Sequence, residues 1–375
     1  MTSRERVQAA LEFREADRVP IDWGMITISG IHETAYRNLL KLLKLEETVI
    51  ISDPVQRLAL PSEAVLQWAG SDTRVLWANA PASYTYREDA EGGFVDEFGI
   101  SYRRVGAYCD FDVPPLANAE TISDLRAFKL PDPADPSRFA GLRARAKDLY
   151  FNTDKALVGG NLASLYYCAW GLRGYQNFMM DTAADPAFSN YLLDMLLDWW
   201  MAFMDAYLAE IGDFIQIMWA GDDWGSQSGP LIAPDDFRAN VVPRFKKLIS
   251  AMKRKSNAKL AYHSCGSAAW ALDDFVEMGV DILHPLQANA AGNEDAKSIK
   301  ALCHGRLVIH GGLDNQGKFR LGESVVEDDV REKIAAFAPG GGYLFSSGHN
   351  IQGDCPAQNI ATIFNTHKQA GRYTH

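Results

Sequence analysis

The chain has 375 residues, 47% of them hydrophobic and 23% charged, a composition that fits one large or two ordinary globular domains and excludes a disordered or fibrous protein. With 37 basic against 48 acidic side chains the formal net charge is −11, which excludes a phosphate backbone as the main ligand, so no nucleic-acid partner is expected. Asp or Glu interrupts every apolar stretch well short of the roughly 18 residues a membrane span requires, and no membrane partner is expected either.

In chain order, Met1 to Leu11 is polar and helical in pattern, without the apolar run of a signal peptide. Short β-branched or aromatic runs then recur, most of them ending in a polar cluster and followed by a helical pattern. They are Arg18 to Asp22, Thr48 to Asp53, Ala156 to Asn161, Phe214 to Gly221, Lys259 to Gly266, Val280 to Gln287, Arg306 to Asp314 and Gly342 to Asn350. Asp185-Pro186 opens a helix over Ala187 to Ile211, whose apolar residues from Leu193 onward follow a 3.6-residue spacing. Further helices are predicted over Pro234 to Lys255, Ser267 to Met278, Glu323 to Phe337 and Pro356 to Ala370. Eight strand-helix units in one chain predict a closed (β/α)8 TIM-type barrel rather than an open sheet. The stretch from Gln56 to Asp132 breaks this rhythm. Arg74 to Trp77, Tyr84 to Arg87 and Phe94 to Arg104 read as strands around Gly92-Gly93, so residues 56–132 are expected to form a β-rich excursion over the barrel mouth, within a single domain spanning residues 1–375.

Barrel chemistry sits at the C-terminal ends of the strands. His263-Ser264-Cys265-Gly266 closes one run. Residues two apart in an extended segment share a face, so an imidazole and a thiol there can turn toward one zinc ion. Gly348-His349-Asn350 and Asp354-Cys355 close the last run and offer a third ligand from a distant strand, although Cys355 before Pro356 also reads as a small buried side chain. Gly221-Asp222-Asp223-Trp224-Gly225 places two acids where they can act as general base, metal ligand or partner of a histidine, or merely cap a helix. His310-Gly311-Gly312-Leu313-Asp314 lets the backbone approach a ligand, or makes a tight turn. Asp22, Trp23 and His284 are candidates to line the pocket. Cys109, Cys168 and Cys303 are read as core, and five irregularly spaced cysteines point to a reducing compartment, hence a cytoplasmic protein. Trp199-Trp200 is read as barrel packing or a subunit contact, which allows a homodimer, and Lys253-Arg254-Lys255 as a solvated helix end.

At these residues the chain resembles the uroporphyrinogen decarboxylase superfamily, and within it the corrinoid-dependent methyltransferase branch. The resemblance runs from Arg4-Glu5-Arg6-Val7 and Asp17-Arg18-Val19-Pro20 through Gly221 to Gly225, His263 to Gly266 and Gly311 to Asp314, and ends with Pro339 to Tyr343 and Gly348 to Gln352. It implies a distorted (β/α)8 barrel. It also implies zinc held by His263 and Cys265 with His349 or Cys355 as third ligand, catalytic roles for Asp222, Asp223 and His263, and cofactor contacts at Gly311, Gly312, Asp314 and Gln287. Decarboxylases of the family feed a porphyrinogen cleft with an arginine-containing loop after the first strand, whereas the loop here, Asp22 to Gly30, has no arginine.

The leading expectation is a zinc-dependent methyltransferase exchanging a methyl group between methylcobalamin on a separate corrinoid protein and a small thiol, tetrahydrofolate or methylated substrate. A corrinoid partner is expected because the chain lacks an Asp-x-His-x-x-Gly cobalamin motif. The runner-up is a decarboxylase or lyase on a smaller carboxylic acid. A third reading is a non-catalytic barrel that carries or senses a corrinoid or small ligand.

Overall fold

Seven parallel strands share one curled sheet in chain order, and they are here called β1 (Thr73–Leu76), β2 (Ala156–Ala163), β3 (Ile217–Gly221), β4 (Lys259–His263), β5 (Ile282–His284), β6 (Val308–His310) and β7 (Tyr343–Leu344). The computed structural model describes residues 1–24 and 26–373; Met25, in the loop after the first predicted run, lies outside the described residues. The first run closes the barrel with a single rung. Ile21 bridges Phe345 in parallel, Asp22 N–H donates to Phe345 at 2.9 Å, and the Asp72 N–H on the other side donates to Ile21 at 2.8 Å. Closure is reinforced by charge, because the buried Asp72 carboxylate accepts from Arg6 at 2.6 Å, from Arg18 at 2.8 Å and from the Ile21 amide at 2.8 Å. The fold is therefore the TIM-type α/β barrel predicted.

Alternation along each strand separates two cores. Ile217, Trp219, Ala261, Ile282, Val308 and Leu344 point inward and form a small cluster with Val7, Ala10 and Leu11 of the N-terminal helix Ser3–Leu11, which plugs the bottom. Their neighbours Met218, Leu260, Tyr262, Leu283, Ile309 and Tyr343 point outward and pack under the helices. The register pairs His263 with His284 and Leu283 with Ile309, so His263, His284 and His310 end three adjacent strands in one inward-facing row. Inward residues from neighbouring strands form layers in such barrels, and here the top layer is imidazole.

Several boundaries differ from expectation. Thr48 to Asp53 is not a barrel strand: Ile51–Asp53 joins Ile31–His32 and Leu58–Ala59 in a separate antiparallel sheet. Its half-buried pattern is unsuited to a parallel barrel strand, which must be covered on both faces. The barrel position falls to Thr73–Leu76, inside the stretch assigned to the excursion, paired with β2 from Thr73 to Leu76. The sequence shows this run as the strand Arg74 to Trp77 but not its place in the barrel, because it begins with two polar residues, whose side chains are satisfied by Asp22 and Glu63. The elaboration over the mouth thus starts after β1. Its sheet comprises Phe94–Val95, Ser101–Val105 and Tyr108–Phe111, joined by turns at Gly99 and Gly106; the chain does turn at Gly92-Gly93, with the Gly92 amide donating to the Asp89 carbonyl at 3.2 Å, but Tyr84 to Arg87 before it forms no strand. The long helix Pro186–Ile211 and the helices Glu323–Phe337 and Ala357–Ala370 follow the predicted spans closely. The predicted Pro234 to Lys255 contains a π-helical stretch, Phe237–Val241, and the segment from Ser267 becomes regular helix only at Leu272. No helix among the described residues is long and apolar enough to cross a membrane.

Candidate active site

Strand β4 delivers His263 as its last inward residue, and Gly266 then turns the chain sharply at φ +72°. Cys265 follows two residues after His263, on the same face, and its Sγ lies 3.1 Å from His263 Nε2. His349, beyond β7, comes to the same point: one ligand atom each from His263, Cys265 and His349 lie within 4.8 Å of one another. Sequence separation of more than eighty residues is closed by the curl of the sheet, which brings the exit loops of β4 and β7 over one axis.

Hydrogen bonds orient the rings. His263 Nδ1 meets His284 Nδ1 at 3.0 Å, and His349 Nδ1 meets Asn350 Oδ1 at 2.8 Å, so each leaves Nε2 for the cluster. Such outer contacts on the remote nitrogen are what fix a ligand imidazole. His284 is buried behind His263, its ring 4.5 Å from that of His310, whose Nε2 contacts Asp22 at 2.9 Å. Burial, with the neighbouring imidazoles, pushes His284 well below the ordinary histidine range, so it faces His263 as a neutral ring. Asp22 and His284 therefore sit beneath the pocket rather than lining it, and Trp23 packs against Phe364 at 4.5 Å.

The two acids after β3 have separated roles. Asp223 Oδ1 lies 3.3 Å from His263 Nε2 and accepts the Cys265 amide at 2.8 Å. Burial raises its carboxyl, but contact with His263 and the Cys265 amide outweighs that and holds it down at about 2. Asp222 points the other way. It accepts from the Ser164 hydroxyl and from the amides of Leu165, Tyr166 and Tyr167 at 2.8 to 2.9 Å, anchoring the start of the helix Tyr166–Arg173. Burial pushes it up to about 6 against those four bonds. Its capping role, weighed in the sequence as the alternative, accounts for all of its contacts. The Cys265 thiol is raised by burial and by Asp223, so that without a cation beside it the thiol stays protonated.

The remaining candidates divide. Cys355 is buried apart from the cluster, its thiol facing the Phe319 carbonyl at 3.5 Å, because the turn at Gly353 and the helix beginning at Ala357 direct it inward. It is not brought to the histidines, and His349 takes the third position. Gly311 and Gly312, at φ +88° and +94°, are required by packing: a Cβ would come 2.8 Å from the Ser347 carbonyl and 2.7 Å from the Phe337 ring respectively. Asp314 accepts the Gly317 amide at 2.7 Å and shapes its own loop. Gln287 does face the mouth, accepting from the Gly266 amide at 2.9 Å and steadying the turn that carries Cys265.

Two cavities meet at this centre. The outer one, about 1000 Å³, opens at the mouth and is lined by His32, Tyr108, Asp223, Cys265, Arg320 and His349 among others. The inner one, about 360 Å³, runs from His263 and His349 under the excursion and the helix Tyr166–Arg173. Its walls include Asp53, Asp96, Tyr102, Tyr167, Trp170 and Trp200. None of these is marked as a site residue by the sequence, because they come from two strands outside the barrel, a loop and two helices, and their spacing carries no signature; only the fold gathers them.

The family model described as uroporphyrinogen decarboxylase (URO-D) matches residues 108–370. Uroporphyrinogen decarboxylase of Pseudoalteromonas atlantica is 20% identical over 262 residues, 68% of this chain and 70% of that protein. The same enzyme of Psychromonas ingrahamii is 22% identical over 178 residues, 47% of this chain and 46% of its own length. Among solved structures, a methyltransferase from Methanosarcina mazei superposes with a TM-score of 0.66 at 18% identity, covering 98% of this chain and 99% of that one, a likeness of fold. A barrel that closes with the order described, matched by the family along most of its length, places this chain in the uroporphyrinogen decarboxylase family.

Proposed function

We propose that the chain is a zinc-dependent methyltransferase, moving a methyl group between a corrinoid on a partner protein and a small substrate. The observation that supports this most is the convergence of His263, Cys265 and His349 at the C-terminal barrel face, with ligand atoms within 4.8 Å of one another. Two imidazoles and one thiol are a donor set that suits zinc, and ligands of a tetrahedral ion at ~2.0–2.3 Å stand about 3.3–3.8 Å apart, so small side-chain shifts would seat it. Three protein ligands leave a fourth position open, as a catalytic site requires. When bound, zinc supplies a Lewis acid that stabilises a thiolate or polarises an oxygen of the substrate at neutral pH.

The chain's own residues hold and orient. His284 and Asn350 fix the two imidazoles, Gln287 fixes the turn bearing Cys265, and Asp223 keeps a negative charge beside His263 and the Cys265 amide. The outer cavity is wide enough for a bulky group to approach from a partner protein, and the inner one holds a small molecule away from bulk water; alignment and shielding are the larger part of what a protein contributes to such a transfer. The decarboxylase reading has Asp222 and Asp223 acting on a substrate acid; Asp222 is engaged by the four donors at the start of the helix, and Asp223 by His263 and the Cys265 amide.

Purified protein is expected to carry about one zinc per chain, and His263→Ala and Cys265→Ala each to lose both the metal and the demethylation of methylcobalamin with thiol acceptors. Turnover by zinc-free protein, or unimpaired methyl transfer in both variants, would reject the proposal.

A further inference from the structure

The inner chamber has a charge character that neither the metal cluster nor the family resemblance requires. Among its lining residues there is no lysine and no arginine, while Asp53, Asp96, Asp222 and Asp223 all reach it. Asp222 is fully engaged by the helix it caps, and Asp223 by His263 and Cys265. Asp53 and Asp96 are different. Asp53 accepts the Gln56 amide at 2.9 Å; Asp96 accepts the amides of Phe98 and Ile100 at 2.9 Å and the Tyr102 hydroxyl at 3.3 Å. All those partners are neutral, and neither carboxylate has a cationic side chain against it among the described residues. Both residues are half-buried at the chamber wall, and partial burial without a counter-charge is costly and pushes both carboxyls upward, Asp96 to about 6.

Tyr102, Tyr167 and Trp170 line the same space beside the aliphatic Ile28, Val55, Ile100 and Leu162, and the Tyr167 phenol lies within the electrostatic reach of Asp53, Asp96 and Asp223 together. Ring faces attract cations, most strongly where water is excluded, and an aromatic cage closed by carboxylates is the arrangement that recognises alkylated ammonium groups. An anionic substrate would meet four acids there and neither lysine nor arginine.

We infer that the inner chamber binds an organic ammonium group, so that the small substrate of this enzyme is a cationic amine rather than a carboxylic or sulfonic acid. The inference rests on the proposed methyl transfer only in calling that ligand the substrate; the binding itself is independent of zinc, corrinoid and turnover. The chamber's volume of about 360 Å³ suits a small ligand, and its opening at His263 and His349 places one end of such a ligand at the reacting centre.

Titration calorimetry on the whole chain tests this with three probes: choline, its uncharged carbon isostere dimethylbutanol, and ethanesulfonate. Choline is expected to bind saturably, at least about tenfold more tightly than the isostere, as cation–π and charge contacts in a partly enclosed site imply. Ethanesulfonate is expected neither to bind in the chamber nor to compete. Asp96→Asn, which keeps an acceptor for the turn amides, should weaken choline about tenfold and leave the isostere unchanged; Tyr167→Leu, whose ring edges the open side of the cavity, should do the same if the first variant is poorly folded. Equal affinity for choline and its isostere, tighter binding of the sulfonate, or absence of choline binding by the folded wild-type protein would overturn the inference. Because the probes need no metal, protein that binds no zinc and transfers no methyl group yet discriminates choline from its isostere would reject the methyl-transfer proposal alone, and zinc-bearing, methyl-transferring protein that does not discriminate them would reject the ammonium site alone.

Discussion

Cys265 and Cys355 both follow strand ends and both sit next to turns, yet only one sulfur faces the histidines. The difference is one of direction: Cys265 lies two residues beyond His263 on an extended segment, whereas Cys355 is carried six residues past His349 and folded under Phe319. Cys355→Ala is therefore expected to keep the zinc content of the wild type while His349→Ala loses it, as measured by elemental analysis. Asp222 and Asp223 make the same point for adjacent acids. Asp222→Ala would strand the Ser164 hydroxyl and three backbone amides in a buried place, and unfolding in urea should reveal a loss of roughly 3 kcal/mol. Asp223 was legible as a functional acid from its position after a strand, but its division of labour from Asp222 was not, since alternation along the loop depends on where the next helix begins.

Two exit loops cross in contact between β3 and β4. Gly225 and Gly266 touch backbone to backbone: a Cβ on Gly225 would come 2.5 Å from the Ser267 amide nitrogen, and one on Gly266 would overlap the Gly225 carbonyl. Gly266 is also at φ +72°, a conformation that side chains other than glycine adopt at a cost. Gly266→Ala is expected to lower stability by about 2 kcal/mol and, by displacing Cys265, to weaken zinc retention under a competing chelator; a variant with unchanged melting temperature and unchanged chelator sensitivity would contradict this coupling. The glycine was visible in the sequence as a permissive exit from a strand. That its neighbour across the crossing is another glycine, forty-one positions earlier, follows only from the parallel register of β3 and β4.

Taken whole, the barrel is closed by its weakest seam, where Ile21 forms one rung with Phe345 and the ions Arg6, Arg18 and Asp72 gather. His367, on the last helix, is buried beside this seam with its ring 4.5 Å from Phe345. Burial, and then the charge of Arg18, lowers it from the ordinary 6.5 to about 3, so it stays neutral in the folded protein while an unfolded chain would take up a proton. Its contribution to stability is thus complete above about pH 6.5 and is lost as pH falls toward about 3, with about 2 kcal/mol gone between pH 7 and pH 5. Thermal denaturation of the wild type and of His367→Phe should show a shallower acid-side decline in the variant; parallel curves would exclude His367 as the source.

Periodicity in the chain was enough to establish the strand-helix alternation, the long helix, the plug helix pattern at the N-terminus and the histidine, cysteine and acid at strand ends, because these depend on neighbours a few residues apart. Periodicity failed where a segment's role depended on what lay across it. Arg74 to Trp77 was legible as a strand but not as a barrel strand, because its polar side chains are satisfied by Asp22 and Glu63, and Thr48 to Asp53 has the pattern of a barrel strand but pairs with Leu58–Ala59. The choice of His349 over Cys355, the row of imidazoles behind His263 and the acidic aromatic chamber were decided by tertiary structure alone. Each is a meeting of groups from distant positions, and only closure of the barrel brings distant positions to one axis.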